Sequence, residues 1–211
     1  MIISWYGEGC FKIQNGEETI LIDPPEANLG FSVPRFRSNI LIKSLTPWPF
    51  PFSQEAEKNN ADFVIWGAGE YDIGEIKIRG FSLKSESSDK FFKSVFVVKW
   101  EEIVIGILGH LSLLPSPEIL ENFEEVDVLI APAGGEPFLS QELLVKLVKQ
   151  LNPKIYLPSF YKVAGLKRKA QGLEEILIHF NGEVEKTLEK FVFKKKDLAE
   201  IKKTKIVTFK I

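Results

Sequence analysis

The segment that decides the fold is Ile40–Phe52, which reads ILIKSLTPWPFPF. It begins as a run of aliphatic and β-branched residues, which is typical of a buried β-strand. It ends in three prolines that alternate with aromatic residues and cannot continue a strand ladder, because proline lacks the backbone N–H. A loop directly after a buried strand is where α/β proteins commonly place reactive groups. Of the residue types His, Asp, Glu, Cys and Ser, this segment contains only Ser44.

Outward from this segment, the chain alternates short strands with turns and a few helices. Asn15-Gly16 is a hairpin signal between two strands. Ser140 is predicted to cap a helix that has an apolar face, whereas Ser53 is predicted to cap only a single helical turn. The polar stretch from Lys84 to Lys90 is predicted to be a mobile loop. The first part of the chain is rich in strands, and the second part alternates strands and helices in the order βαβα. This order of elements favours two sheets covered by helices over one doubly wound sheet.

The composition is that of an ordinary globular protein. The chain has 211 residues, of which 45% are hydrophobic and 27% are charged, so we expect a single domain over residues 1–211. No apolar run approaches the ~20 residues of a membrane helix, and the start of the chain does not resemble a signal peptide. Cys10 is the only cysteine, which excludes an internal disulfide and predicts a reducing, cytoplasmic location.

The charges are unevenly distributed along the chain. Residues 1–140 carry a balance of −10 and residues 141–211 a balance of +8. The basic part contains the runs Lys167–Lys169 and Lys194–Lys196. A basic face could attract the phosphates of a nucleic acid, but charged runs more often form a solvated surface. We favour the solvated surface and keep nucleic-acid binding as an alternative.

Five blocks of sequence follow the pattern of a known family. They are ISWYGEGCFKI at Ile3–Ile13, TILIDP at Thr19–Pro24, GEYDIG at Gly69–Gly74, VDVLIAPAGG at Val126–Gly135 and NPKIYLP at Asn152–Pro158. In this order and spacing, they resemble the metallo-β-lactamase fold, in the branch of small Zn-dependent hydrolases similar to ascorbate-6-phosphate lactonases. The resemblance implies an α/β fold, a four-layer αββα sandwich, and a hydrolase that uses zinc or manganese.

The chain departs from that family at the positions of the metal ligands. The family's metal motif is [ST]-H-x-H-x-D-H, and Ser44 takes its first place. The four ligand positions of the motif, the bridging aspartate and the last histidine are occupied here by Leu45, Pro47, Pro49, Phe50, His110 and Phe160, in that order. Leu, Pro and Phe offer no lone pair to a metal. We therefore expect no metal cofactor, with Leu45, Phe50 and Phe160 filling the space of the metal and its water.

Three polar residues remain as candidates for a site. Glu8 replaces a His or Gln of the family and is either a carboxylate of the site or a surface turn residue between two glycines. The resemblance implies that Asp23 supports the loop after Ile42, and we expect it to accept backbone N–H bonds. His110 could be a base or a single remaining ligand, but we favour a hydrogen-bonded histidine at a strand end. Cys10 is interpreted as a buried strand residue.

These observations lead to three hypotheses about function. The one we favour is a pseudoenzyme, metal-free and without catalytic activity, that binds or scaffolds an unknown partner. The second is a hydrolase that works without the family's metals and uses Glu8, Asp23 and His110. The third is a nucleic-acid-associated protein that uses its basic C-terminal third. The sequence leaves the oligomeric state open, and a homo-oligomer is compatible with it.

Overall fold

A computed structural model of the chain describes residues 1–25, 36–180 and 184–210. The strands are β1 (Ile2–Trp5), β2 (Phe11–Asn15), β3 (Glu18–Ile22), β4 (Ser38–Ile42), β5 (Leu45–Pro47), β6 (Ala61–Ile65), β7 (Gly69–Ile73), β8 (Ile76–Ser82), β9 (Phe91–Trp100), β10 (Ile103–Ile107), β11 (Val128–Pro132), β12 (Ile155–Ser159), β13 (Val184–Leu188), β14 (Phe191–Val192) and β15 (Lys205–Phe209). The helices are α1 (Phe52–Asn59), α2 (Pro117–Leu120), α3 (Gln141–Leu151), α4 (Glu174–His179) and α5 (Lys195–Ala199). Within these ranges, no helix has the length and apolar character needed to cross a membrane.

The strands form two sheets. In the described residues, the first has the order β14-β1-β2-β3-β4-β6, and the second has the order β13-β15-β12-β11-β10-β9-β8-β7 with β5 added alongside β9. The predicted hairpin at Asn15-Gly16 is confirmed, because β2 and β3 pair antiparallel on either side of it. Strands β3, β4 and β6 run parallel, as do β10, β11 and β12. Each sheet therefore presents several carboxyl ends of parallel strands at one edge.

The two sheets pack face to face with helices outside them. One buried hydrophobic cluster contains Ile3 and Phe11 from the first sheet together with Val98 and Ile105 from the second. Helix α3 buries its apolar face against β11, and α1 packs against β4 and β6. The layers follow the order helix, sheet, sheet, helix. The mixed α/β architecture with two sheets agrees with the four-layer αββα sandwich that the sequence predicts.

Two local predictions are wrong, and one helix was not predicted. Helix α1 has eight residues and begins after Pro51, without a side-chain cap from Ser53. The stretch predicted to be a mobile loop contains a 3₁₀ turn at Lys84–Glu86. The Glu86 carboxylate orders that turn, because it accepts the Ser112 N–H at 2.7 Å and pairs with Lys93 at 3.0 Å. The sequence analysis also missed helix α5.

Candidate functional site

A small cleft of about 140 Å³ lies where four strands of the two sheets end. Asp23 follows β3, Lys43 follows β4, His110 lies just after β10 and Phe160 follows β12. The cleft is lined by Glu8, Asp23, Lys43, Leu45, His110 and Phe160, among others. The carboxyl ends of parallel strands are where open α/β sheets commonly bind ligands. The structure thus brings all three polar candidates, Glu8, Asp23 and His110, to one place.

Asp23 anchors the loop that follows β4. Its side chain is buried and accepts two hydrogen bonds from Ser44, one from the backbone N–H to Oδ1 at 2.7 Å and one from the hydroxyl to Oδ2 at 2.6 Å. Its own backbone N–H donates to the carbonyl oxygen of Ile42 at 3.0 Å. Asp23 thereby ties the end of β3 to the end of β4, which is the supporting role that the sequence analysis expects.

His110 contacts the same serine from the opposite sheet. Its Nδ1 lies 2.8 Å from the Ser44 Oγ, and its backbone N–H donates to that oxygen at 3.2 Å. The turn before it depends on glycine: Gly109 has a φ of +46°, and a Cβ there would lie 2.1 Å from the Ser44 Oγ. Ser44 is therefore the link between Asp23 and His110, a role that sequence reasoning missed although Ser44 occupies the first place of the family motif.

The surroundings of His110 keep its imidazole neutral. Loss of hydration lowers the pKa of His110 below its ordinary value of 6.5, and the positive charges of Lys93, Lys43 and Arg168 lower it further. The negative charge of Asp23 acts in the opposite direction without reversing the shift. At pH 7 the ring therefore has one protonated nitrogen and one lone pair.

Phe160 fills the side of the cleft next to His110. Its side chain is buried, and its ring centroid lies 4.8 Å from that of His110 and 4.2 Å from that of Phe138. The ring also packs closely on Gly9, where a Cβ would come within 2.5 Å of Phe160 Cζ. The backbone of Phe160 has a φ of +58°, and its N–H donates to the Glu8 carbonyl oxygen at 3.1 Å. An apolar ring thus stands where the resemblance expects a histidine ligand.

Glu8 is a buried residue of the cleft and is not the exposed turn residue that the sequence also allowed. Its Oε2 accepts a hydrogen bond from the Arg168 Nε at 2.8 Å. The same guanidinium donates to the Phe160 carbonyl oxygen and lies 5.1 Å from the ring centroid of Phe138. Sequence reasoning missed Arg168, because an arginine within the basic run Lys167–Lys169 cannot be distinguished from a solvated one by composition.

The remaining ligand positions lie away from the cleft. Pro47 belongs to β5 and pairs with Phe91 of β9. Phe50 stacks on Trp66 with ring centroids 5.1 Å apart, and Trp48, next to Pro49, is 52% exposed. Phe50 therefore does not line the cleft beside His110, because the pairing of β5 with β9 and the stacking on Trp66 hold this loop elsewhere. Leu45 and Phe160 do line the cleft.

The residue types in the cleft do not fit a zinc or manganese ion. Across residues 1–25, 36–180 and 184–210, no group of three or more His, Cys, Asp and Glu side chains is arranged to hold a metal ion. Of the acidic side chains that line the cleft, Asp23 accepts from Ser44 and Glu8 is paired through Oε2 with Arg168, while the buried Glu8 Oε1 has no hydrogen-bond partner among the described residues. Cys10 is fully buried, and burial raises the pKa of its thiol well above the ordinary value, so it offers neither a thiolate ligand nor a nucleophile.

The chain resembles proteins that are named as hydrolases. The chain is 23% identical over 189 residues to a metal-dependent hydrolase of Natranaerobius thermophilus, a match that covers 76% of this chain and 83% of that protein. A crystal structure from Thermotoga maritima, named as a Zn-dependent hydrolase of the metallo-beta-lactamase superfamily, superposes with a TM-score of 0.79 at 23% identity over 99% of both chains.

Two further comparisons concern the fold and the family. The metallo hydrolase Igni18 of Ignicoccus hospitalis superposes with a TM-score of 0.63 at 15% identity, over 80% of this chain and 86% of that one. At these identities, the solved structures establish the fold alone. The family described as the beta-lactamase superfamily domain matches residues 2–159, which is most of the chain. The chain therefore belongs to the metallo-β-lactamase superfamily.

Proposed function

We propose that this chain is a metal-free member of its superfamily that uses the cleft for binding and does not carry out metal-dependent hydrolysis. The observation that carries the proposal is the packing of the Phe160 ring beside His110. A histidine at that position would bring a second imidazole next to the first, whereas phenylalanine has no donor atom. The relatives' names concern metal-dependent hydrolysis, and it is at the ligand positions that this chain differs from the family pattern.

The donor atoms of the cleft support this proposal. Zinc and manganese sites in proteins need several imidazole, thiolate or carboxylate donors that converge at about 2.0–2.3 Å. The described part of the cleft offers one imidazole, and its two carboxylates are engaged by Ser44 and Arg168. Apolar residues at the other positions also avoid a cluster of like charges, which would be costly without a metal.

Metal analysis of the purified protein tests the proposal directly. We expect far less than one equivalent of zinc, manganese or iron after purification without chelators, and no rise in Tm on addition of zinc. The matched control is Phe160→His, which places a second imidazole beside His110 and is expected to gain a zinc-dependent rise in Tm. One equivalent of metal in the wild-type protein, removable by EDTA with a fall in Tm, would contradict the proposal.

A second candidate is hydrolysis by a water molecule that His110 activates. It is favoured by one observation: a neutral histidine, held through Nδ1 by Ser44, lines the cleft. Such a group can act as a general base. Ser44 is not a candidate nucleophile, because it is 1% exposed and its hydroxyl is bonded to Asp23. In a screen of esters and phosphoesters, any true activity should disappear in His110→Gln, and unchanged turnover would remove His110 from the mechanism.

Nucleic-acid binding receives less support from the contacts of the basic residues. Arg168 is turned inward to Glu8, and Lys195 pairs with Asp127 at 2.9 Å. Two of the charges in the runs Lys167–Lys169 and Lys194–Lys196 are thus neutralised within the molecule. We therefore rank this function third.

The cellular location is proposed on the chemistry of the single cysteine. Cys10 is a free, buried thiol, which is compatible with a reducing compartment. We propose the cytoplasm, and immunoblotting of fractionated cells of the source organism would test this.

A further inference from the structure

The hydroxyl of Ser44 determines which nitrogen of His110 carries the proton. This hydroxyl has one proton and three neighbours: Asp23 Oδ2 at 2.6 Å, His110 Nδ1 at 2.8 Å and the backbone N–H of His110 at 3.2 Å. The backbone N–H can only donate, and an ionised carboxylate can only accept. The serine proton therefore goes to Asp23, and the serine oxygen accepts from His110. A neutral His110 must then hold its proton on Nδ1.

The other ring nitrogen is consequently a hydrogen-bond acceptor. With the proton on Nδ1, Nε2 carries a lone pair. No hydrogen bond to Nε2 occurs within the part of the chain that the structure describes. The His110 side chain lines the cleft and keeps 22% of its surface exposed. A ligand that enters the cleft therefore finds an acceptor at His110.

The rest of the cleft restricts what that ligand can be. At about 140 Å³ the cleft is smaller than the ~300–1,000 Å³ of sites for drug-sized molecules. Two carboxylates, Glu8 and Asp23, line it together with the apolar ring of Phe160. The Glu8 carboxylate is paired with Arg168 and Lys43 also lines the cleft, so neither sign of charge predominates there. The lone pair of His110 Nε2 favours a small neutral molecule that has an N–H or O–H to donate.

We propose that the cleft binds small neutral ligands through a hydrogen bond donated to His110 Nε2, and that Asp23 and Ser44 are the positioning residues that fix the required tautomer. The inference rests on the proposed metal-free function, because a metal ion on His110 would take the same lone pair. It adds to that function a ligand class, neutral hydrogen-bond donors such as amides and alcohols, and it distinguishes them from phosphates and carboxylates, whose oxygens mainly accept hydrogen bonds.

The tautomer can be read directly by NMR of protein with ¹⁵N-labelled histidine. The chain contains two histidines, and the exposed His179 serves as an internal reference. We expect His110 in the Nδ1–H form, whereas Ser44→Ala should return it to the mixture of tautomers seen for His179. A wild-type His110 in the Nε2–H form would overturn the proposal. That reading needs only the wild-type protein, so it holds even if Ser44→Ala does not fold.

Ligand class is tested by titration with four probes: acetamide, methanol, acetate and inorganic phosphate. Acetamide or methanol should shift the His110 ring signals in a saturable way and leave those of His179 in place, while the two anions should not. In Ser44→Ala the affinity for the donor probes should fall in proportion to the fraction of His110 that is no longer in the Nδ1–H tautomer. Saturation by phosphate or acetate alone, or no saturation by either donor probe, would overturn the proposal. A bound metal would instead appear as a change of the His110 signals on addition of EDTA, which separates failure of the metal-free function from failure of this inference.

Discussion

The side chain of Phe160 forms one wall of the cleft. It contacts His110, Phe138 and Gly9 and is 3% exposed. We expect Phe160→Ala to lower the free energy of unfolding by about 3–5 kcal/mol, because truncation of a buried aromatic ring leaves a cavity. Urea denaturation at neutral pH measures this. The control is Phe52→Ala, which removes a ring that is 50% exposed and should change stability far less. Equal effects of the two changes would contradict the packing described for Phe160.

The lowered pKa of His110 makes the stability of the protein depend on pH. The pKa of His110 in the folded protein lies below the ordinary value of 6.5. The unfolded chain therefore binds this proton at a higher pH than the folded protein does. The contribution of His110 to the free energy of unfolding is therefore fully present above about pH 6.5, and it is lost as the pH falls towards the pKa of the folded protein. In His110→Gln this loss should become smaller. Urea denaturation at several pH values between about 7.5 and 5 measures it.

The second histidine provides the control for that prediction. His179 is exposed at the end of α4, so His179→Gln removes a histidine without altering the contacts of the cleft. A pH profile that His110→Gln does not alter would show that the carboxylates, and not His110, govern stability in this range.

At the scale of residues, the sequence predicted those groups whose role follows from a motif. Asp23 supports the loop after β4 as expected, since its place in the block TILIDP indicates that role. Arg168 and the burial of Glu8 were not predictable, because their partnership joins positions 160 residues apart. Ser44 was visible only as a motif position, and its bond to His110 needed the packing of the two sheets.

At the scale of elements, the segment after β12 is attached to the cleft by a few polar contacts. Lys162 donates its backbone N–H to the Gln171 carbonyl oxygen at 2.9 Å, and Gln171 donates to Gly134 at 2.8 Å. Arg168, between them, reaches Glu8 and the carbonyl oxygen of Phe160. The segment is therefore held at its two ends by the backbone and at its centre by one ion pair.

The strength of that ion pair can be measured by a double-mutant cycle. Arg168→Met leaves Glu8 as a buried charge without its partner, so we expect a loss of about 3–5 kcal/mol in the free energy of unfolding. Glu8→Gln in the Arg168→Met background should recover part of that loss, because it removes the uncompensated charge. Lys146→Met, which breaks an exposed pair with Glu142, is the control and should cost little. Additive effects of Glu8→Gln and Arg168→Met would show that the two side chains act independently.

The elements that the sequence predicted well are those with a strong local signal. The hairpin at Asn15-Gly16 and helix α3, capped by Ser140, both follow from turn or cap chemistry. The elements that were missed or misjudged depend on distant partners. The 3₁₀ turn around Glu86 is ordered by Ser112 and Lys93, and β5 exists because β9 pairs with it. No window of local sequence contains that information.

At the scale of the whole molecule, the opposite charges of the two parts of the chain meet in specific pairs. Lys195 of the basic part binds Asp127 of the acidic part, and Arg168 binds Glu8. The sequence predicted a solvated surface for the basic runs but could not tell which of their side chains face a partner, because pairing depends on the fold. These internal pairs reduce the positive charge that remains for an external polyanion.

The salt dependence of RNA binding tests whether the internal ion pairs leave little positive charge for a polyanion. The logarithm of affinity for a single strand falls with the logarithm of salt concentration by about 0.7 per phosphate neutralised. With Arg168 and Lys195 already paired, we expect weak binding of a single-stranded RNA and a shallow slope in filter-binding assays. Asp127→Asn releases Lys195 and should steepen that slope by no more than one phosphate contact. Tight wild-type binding with a slope of several contacts would instead establish the basic part of the chain as a nucleic-acid surface and would reverse the order of the proposed functions.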